Sequence, residues 1–121
     1  MKGTRGLGSA GERVALDYLR QKGYELLETN WRCPGGELDL ILTHGEAVVF
    51  VEVRTRRGER AGSPEESVTR AKQDRLRSLA AVWLSEQYPD SEPPKCRIDV
   101  VAVHLSTDGR LVGVNQLVSA V

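Results

Sequence analysis

Two carboxylates stand inside runs that otherwise read as buried strands: Asp39 within Leu38-Asp39-Leu40-Ile41, and Glu52 within Phe50-Val51-Glu52-Val53. A charged group in a strand interior is normally a liability. Only His44-Gly45-Glu46 separates the two runs, so they form a hairpin. If Gly45-Glu46 are the central residues of a type II′ turn, His44 faces Ala47 and Asp39 lies opposite Glu52. If His44-Gly45 are central, Glu37 faces Glu52 and Asp39 is one diagonal away. Either register puts Glu37, Asp39, Glu52 and Arg54 on one face, because strand parity is unchanged.

Around this hairpin the chain reads α-β-β-β-α-β-β. A helix is expected from about Ser9 to Lys22, with Ala10, Val14 and Tyr18 recurring beside Ala15 and Leu19. A strand at 24–32 ends in the turn Cys33-Pro34-Gly35-Gly36. The next, 37–43, alternates, with Leu38, Leu40 and Leu42 on one face, and the most apolar strand spans 47–55. Arg56 to Gly62 reads as a charged loop. A second helix opens at Ser63-Pro64-Glu65-Glu66 or at Thr69 and runs to about Gln87, burying Leu76, Leu79, Ala80, Trp83 and Leu84. Strands at 96–105 and 111–117 follow, the last an edge. A helix of that length allows the fourth strand to lie parallel to the third. With 121 residues and no internal repeat or linker, one domain, 1–121, is expected.

Composition narrows the function. The chain is 40% hydrophobic and 28% charged, which excludes disorder as the main state. No apolar run approaches the ~20 residues of a membrane helix, nor is there a secretory signal, so no membrane association and a cytoplasmic location are expected. Seventeen basic residues balance seventeen acidic ones. The balance hides a polarity: residues 53–78 hold eight Lys/Arg against four Asp/Glu, leaving nine against thirteen elsewhere. A charge run of this kind is commonly just a solvated face. Cys33 and Cys96 are too far apart for a metal knuckle and read as buried or half-buried free thiols. His44 and His104 need no function, and Trp31 and Trp83 read as core or boundary packing. Asp99, inside the fourth strand, is given no role.

Like charges facing one another across strands cost up to about 1 kcal/mol when exposed, and more when desolvated. Two offsets are open. A divalent cation such as Mg²⁺ is held by one or two carboxylates while keeping waters and substrate phosphates. Alternatively Arg54 neutralises Glu52 in a salt-bridged face without catalysis.

Gly36-Glu37-Leu38-Asp39-Leu40-Ile41, Val49 to Arg56 and Gly62-Ser63-Pro64-Glu65-Glu66 resemble the uncharacterised bacterial YraN-like family. Gly11-Glu12, Asn30-Trp31-Arg32, Lys72-Gln73 and Arg97 to Val101 extend the resemblance over nearly the whole chain. Such proteins are similar in fold to the PD-(D/E)XK nuclease superfamily, which includes Holliday junction resolvases and tRNA-splicing endonuclease domains. The resemblance implies a restriction-endonuclease-like α/β fold, an αβββαβ core with a mixed central sheet flanked by helices. It implies Mg²⁺ or Mn²⁺ bound by Asp39 and Glu52, with the Val53 carbonyl a further ligand and Glu12 reaching the metal through water. A catalytic role falls to Asp39, Glu52, Arg54, Lys72 and Gln73. Arg54 departs from the pattern, which has lysine there. Arginine is forked and always charged, suited to phosphate but not to a role needing a compact ammonium; Lys72 could take that role.

Arg56, Arg57 and Arg60, with Arg32, are placed to meet a phosphate backbone. The Ser9-x-x-Glu12 spacing is equally that of a helix capping box. The expected activity is phosphodiester hydrolysis of DNA or RNA, including branched forms. Alternatives are a nucleic-acid-binding module without turnover and a structural domain. A homodimer is implied only by analogy with resolvases.

Overall fold

The computed structural model describes residues 9–58 and 69–119. Arg60 and the helix start expected at Ser63-Pro64-Glu65-Glu66 lie outside the described residues. Among the described residues two helices flank one mixed five-stranded sheet: α1 (Ala10–Gln21), β1 (Glu25–Cys33), β2 (Gly36–His44), β3 (Ala47–Arg57), α2 (Arg70–Gln87), β4 (Cys96–Leu105) and β5 (Leu111–Leu117). The strands lie in chain order, all neighbours antiparallel except β3 and β4. The element order is therefore that of a restriction-endonuclease-like αβββαβ core followed by β5. Among the described residues, no helix is long and apolar enough to cross a membrane.

Strand alternation divides the core in two. Leu40, Leu42, Val49, Val51, Val101 and Val103 pack against Ala15, Leu16 and Leu19 of α1. Ile41, Val48, Phe50 and Ile98 face the other way, against Leu76, Leu79, Ala80 and Trp83 of α2. Leu84, expected in that stripe, is only half-buried, and Ala10 is exposed. Ser9 caps α1 and accepts the Glu12 N–H at 3.0 Å. For α2 the cap is the second of the two expected starts, Thr69, whose hydroxyl accepts the Lys72 N–H.

Three expectations change. Leu38 does not share a face with Leu40 and Leu42 but joins the α2 cluster with Ile41. The switch lies between the pairs Trp31↔Leu38 and Thr29↔Leu40, where β1 carries Asn30 in a left-handed conformation (φ 49°). One residue turned this way rotates the strand, so a reading by strict alternation fails beyond it. Arg56 and Arg57 belong to β3 rather than to a loop, paired in register with His104 and Leu105. Cys96 is exposed, and only Cys33 is half-buried.

Candidate functional site

The β2–β3 hairpin resolves the register. His44 pairs with Ala47 and Leu40 with Val51, so Gly45-Glu46 are the central residues. Gly45 has φ 61°, and Glu46 is not among the positive-φ residues, as a type II′ turn requires. Beyond Leu40–Val51 the main-chain ladder stops. There the Val53 N–H donates to Asp39 Oδ2 at 2.8 Å. A side-chain carboxylate thus takes the place of a main-chain acceptor, which satisfies a backbone donor where the strands part.

The same register brings Glu52 beside Asp39. Burial raises the Asp39 carboxyl most, and the charge of Glu52 adds to it. The Val53 hydrogen bond pulls the other way, and Glu12 and Glu37 push up further; the result is a carboxyl pushed up to about 7. Glu52 is itself largely buried and pairs with Arg54, Oε2 to Nη1 at 3.2 Å, the side chains 18% and 24% exposed.

Glu12 reaches this cluster from the first turn of α1. Gly11 makes that approach possible: a Cβ there would lie 2.0 Å from Thr55 Oγ1 of β3. Asn30 Nδ2 lies 3.5 Å from both carboxylate oxygens of Glu12, so that carboxylate is held toward the sheet as well as belonging to a capped turn. Sequence reading attached no role to Asn30. The signal was present, since asparagine is the non-glycine residue that best tolerates the left-handed region. Its Oδ1 is buried with no hydrogen-bond partner among the described residues.

Asp39, Glu52, Val53, Arg54 and Glu12 therefore come together. Among the described residues no group of three His, Cys, Asp or Glu side chains forms a ready-made metal cage; the close pair is Asp39 and Glu52. Lys72 and Gln73 are half-buried on the first turn of α2, one turn before Leu76, which packs in the cluster containing Leu38. Arg32 is exposed and pairs with Glu37 at 3.3 Å. Arg56 is half-buried, its Nη2 3.3 Å from His104 Nδ1. The other ring nitrogen of His104 is 2.7 Å from the Gly58 carbonyl, which only accepts, so Nε2 carries the proton and Nδ1 accepts from Arg56. His104, expected to be idle, thus anchors the end of β3. Arg57 is exposed against the turn at Gly109.

Residues 11–103 match the family described as "Uncharacterised protein family UPF0102". The chain belongs to this family. A UPF0102 protein of Symbiobacterium thermophilum is 50% identical over 108 residues, 89% of this chain and 90% of its own. One from Beutenbergia cavernae is 52% identical over 103 residues (85% and 86%), and one from Moorella thermoacetica 44% over 113 (93% and 92%). The matched region spans the whole acidic site, from Gly11 to Arg57, together with α2 and most of β4.

Proposed function

We propose that this UPF0102 protein is a metal-dependent nuclease-like protein that hydrolyses phosphodiester bonds in DNA or RNA. The observation that carries the reading is the pairing of Asp39 with Glu52 at the point where β2 and β3 part, with Asp39 pushed up to about 7 by burial and acidic neighbours. A cluster of acids without a counter-charge on Asp39 is an arrangement that a cation relieves. The donor set fits a hard cation: two carboxylates, the Val53 carbonyl, and Glu12 and the buried Asn30 Oδ1 close by for a water shell. Asp39 and Glu52 would hold Mg²⁺ or Mn²⁺, which when bound supplies positive charge that acidifies water and offsets charge building on the phosphate.

The chain's own residues do the rest. Asp39 and Glu52 fix the position of the cation, and the Val53 N–H keeps Asp39 oriented. Arg54, whose guanidinium is paired with Glu52, would supply positive charge to a phosphate oxygen. Lys72 and Gln73, half-buried on the first turn of α2, would position the scissile group. Arg32, Arg56 and Arg57 would meet the backbone of the nucleic acid, as would Arg60, which lies outside the described residues.

The test is calorimetric titration with Mn²⁺ together with cleavage of branched, flapped and single-stranded DNA and RNA. Asp39→Asn and Glu52→Gln should each abolish Mn²⁺ binding and cleavage. Cleavage that survives Asp39→Asn would come from a contaminant and defeat the proposal.

A second reading, nucleic-acid binding without turnover, is favoured by the Glu52–Arg54 ion pair, which engages one of the two metal-binding carboxylates. It predicts affinity that falls with log salt and weakens in Arg57→Ala, with no cleavage under any divalent metal.

A further inference from the structure

The two edges of the sheet are built differently. β1 carries Glu25, Glu28 and Arg32, a bulge at Leu27 and the left-handed Asn30, all devices that prevent another strand from pairing. β5, Leu111-Val112-Gly113-Val114-Asn115-Gln116-Leu117, contains no Lys, Arg, Asp, Glu or Pro. Its one irregularity is a bulge at Val112, where Leu105 pairs with Leu111 and His104 with Gly113; from 113 to 117 it is regular. Among the described residues, β4 is its only neighbour in the sheet.

Exposed apolar side chains collect on the same edge. Of the five large exposed hydrophobic residues among the described ones, three are here: Leu111 (54%), Val112 (58%) and Val118 (59%). Two stand at the start of β5 and one just past its end. A partner strand running antiparallel brings opposite ends together, so a second copy of β5 is matched to this pattern and a parallel one is not. A two-fold axis at Asn115 pairs the regular stretch 113–117 with itself and sets Val112 of one copy opposite Val118 of the other. Because the strand is uncharged, self-pairing brings no like charges face to face.

We propose that the β5 edge is the interface of a homodimer, two copies of this chain joined antiparallel into one continuous ten-stranded sheet. The proposal uses none of the residues of the acidic site. A single seven-residue seam lies at the small end of specific interfaces, below about 1,200 Å² in total, so association at micromolar concentration is expected.

Sedimentation velocity on the full chain from 1 µM to 1 mM should show a concentration-dependent rise from 13.3 kDa to twice that mass. Val112→Lys/Val118→Lys places like charges opposite one another and should hold the chain monomeric, with an unchanged circular dichroism spectrum. Mixing it with Val112→Glu/Val118→Glu should restore the dimer, a rescue that misfolding could not give.

In a Cys33→Ala/Cys96→Ser background, Val112→Cys/Val118→Cys should oxidise to a covalent dimer. Six residues of strand hold the two sites about 20 Å apart within one chain, beyond the reach of a disulfide. A parent that stays monomeric at 1 mM, or a dimer that the Lys variant leaves intact, would overturn the proposal.

Discussion

Asp39 and Asp99 are both strand aspartates surrounded by apolar residues, yet they are met in opposite ways. Asp99 is fully buried and accepts from three donors: the Arg97 Nε–H, shared between its two oxygens at 3.1 and 3.3 Å, Gln116 Nε2 at 3.0 Å and the Ser119 N–H at 2.8 Å. Tyr24 closes the network, its hydroxyl accepting from Arg97 and Gln116 while its ring stacks on His44. Asp39 accepts from one backbone N–H and is pressed by Glu52, Glu12 and Glu37. A buried charge with full hydrogen bonding holds strands together, whereas one left among like charges is poised to bind something positive.

Substitution should separate the two most sharply. Asp99→Ala strands Arg97 beside a void and should cost roughly 3–5 kcal/mol, measured by urea unfolding. A loss under about 1 kcal/mol would mean that the network is not structural.

At Asp39 the sign reverses. Its folded pKa of about 7 exceeds the ordinary 3.8, so its contribution to stability is fully present at low pH and is lost as pH rises through 7. Metal-free protein should therefore weaken from about pH 4 to 7, by an amount on the order of 2–4 kcal/mol. Asp39→Asn should abolish that dependence and be the more stable protein at pH 8. If it is less stable there, Asp39 belongs with Asp99.

Gly11→Ala tests how Glu12 reaches the acidic cluster. The new methyl meets Thr55 Oγ1 at 2.0 Å, an overpacking expected to cost about 1–3 kcal/mol and to lower the Asp39 pKa as the first turn of α1 moves away. Adding Thr55→Ala should recover much of the loss, and a fully additive pair would rule out the contact as its source.

The smallest effect is expected at Glu37. It sits in an exposed pair with Arg32, so Glu37→Gln should change stability by no more than about 0.5 kcal/mol. It should lower the Asp39 pKa slightly, read by carbon-detected NMR titration, because it is the weakest of the three acids acting there.

Much of this was legible in advance. The β2–β3 hairpin could be read down to two registers, because Gly45 allows few turns and each turn dictates one register; pairing in the folded sheet chose between them. Both helices could be read because apolar residues recur on one face and Ser9 and Thr69 are strong caps. The face switch at Leu38 was not legible, since alternation carries no mark of a single left-handed residue on the neighbouring strand. Arg56 and Arg57 read as a loop because two arginines and a nearby glycine look solvated. Pairing with β4 decided otherwise, and that strand lies some forty residues downstream.

By itself the sequence determined the element order, two possible hairpin registers and the shared face of Asp39 and Glu52, because these depend on local turn geometry and on the two-residue period of a strand; the structure chose the register. Tertiary structure alone decided which aspartate is fully hydrogen-bonded; the counter-charge of Asp99, Arg97, stands only two residues away on its own strand. Arg97, Gln116, Tyr24 and Ser119 come to Asp99 from three parts of the chain, whereas Glu12 is brought to Asp39 by a helix that packs closely only because Gly11 lacks a side chain. The counter-charges come from two residues away on the same strand, but the remaining donors at Asp99 and the like charges at Asp39 are set by distance in space, and residues far apart in the chain supply them.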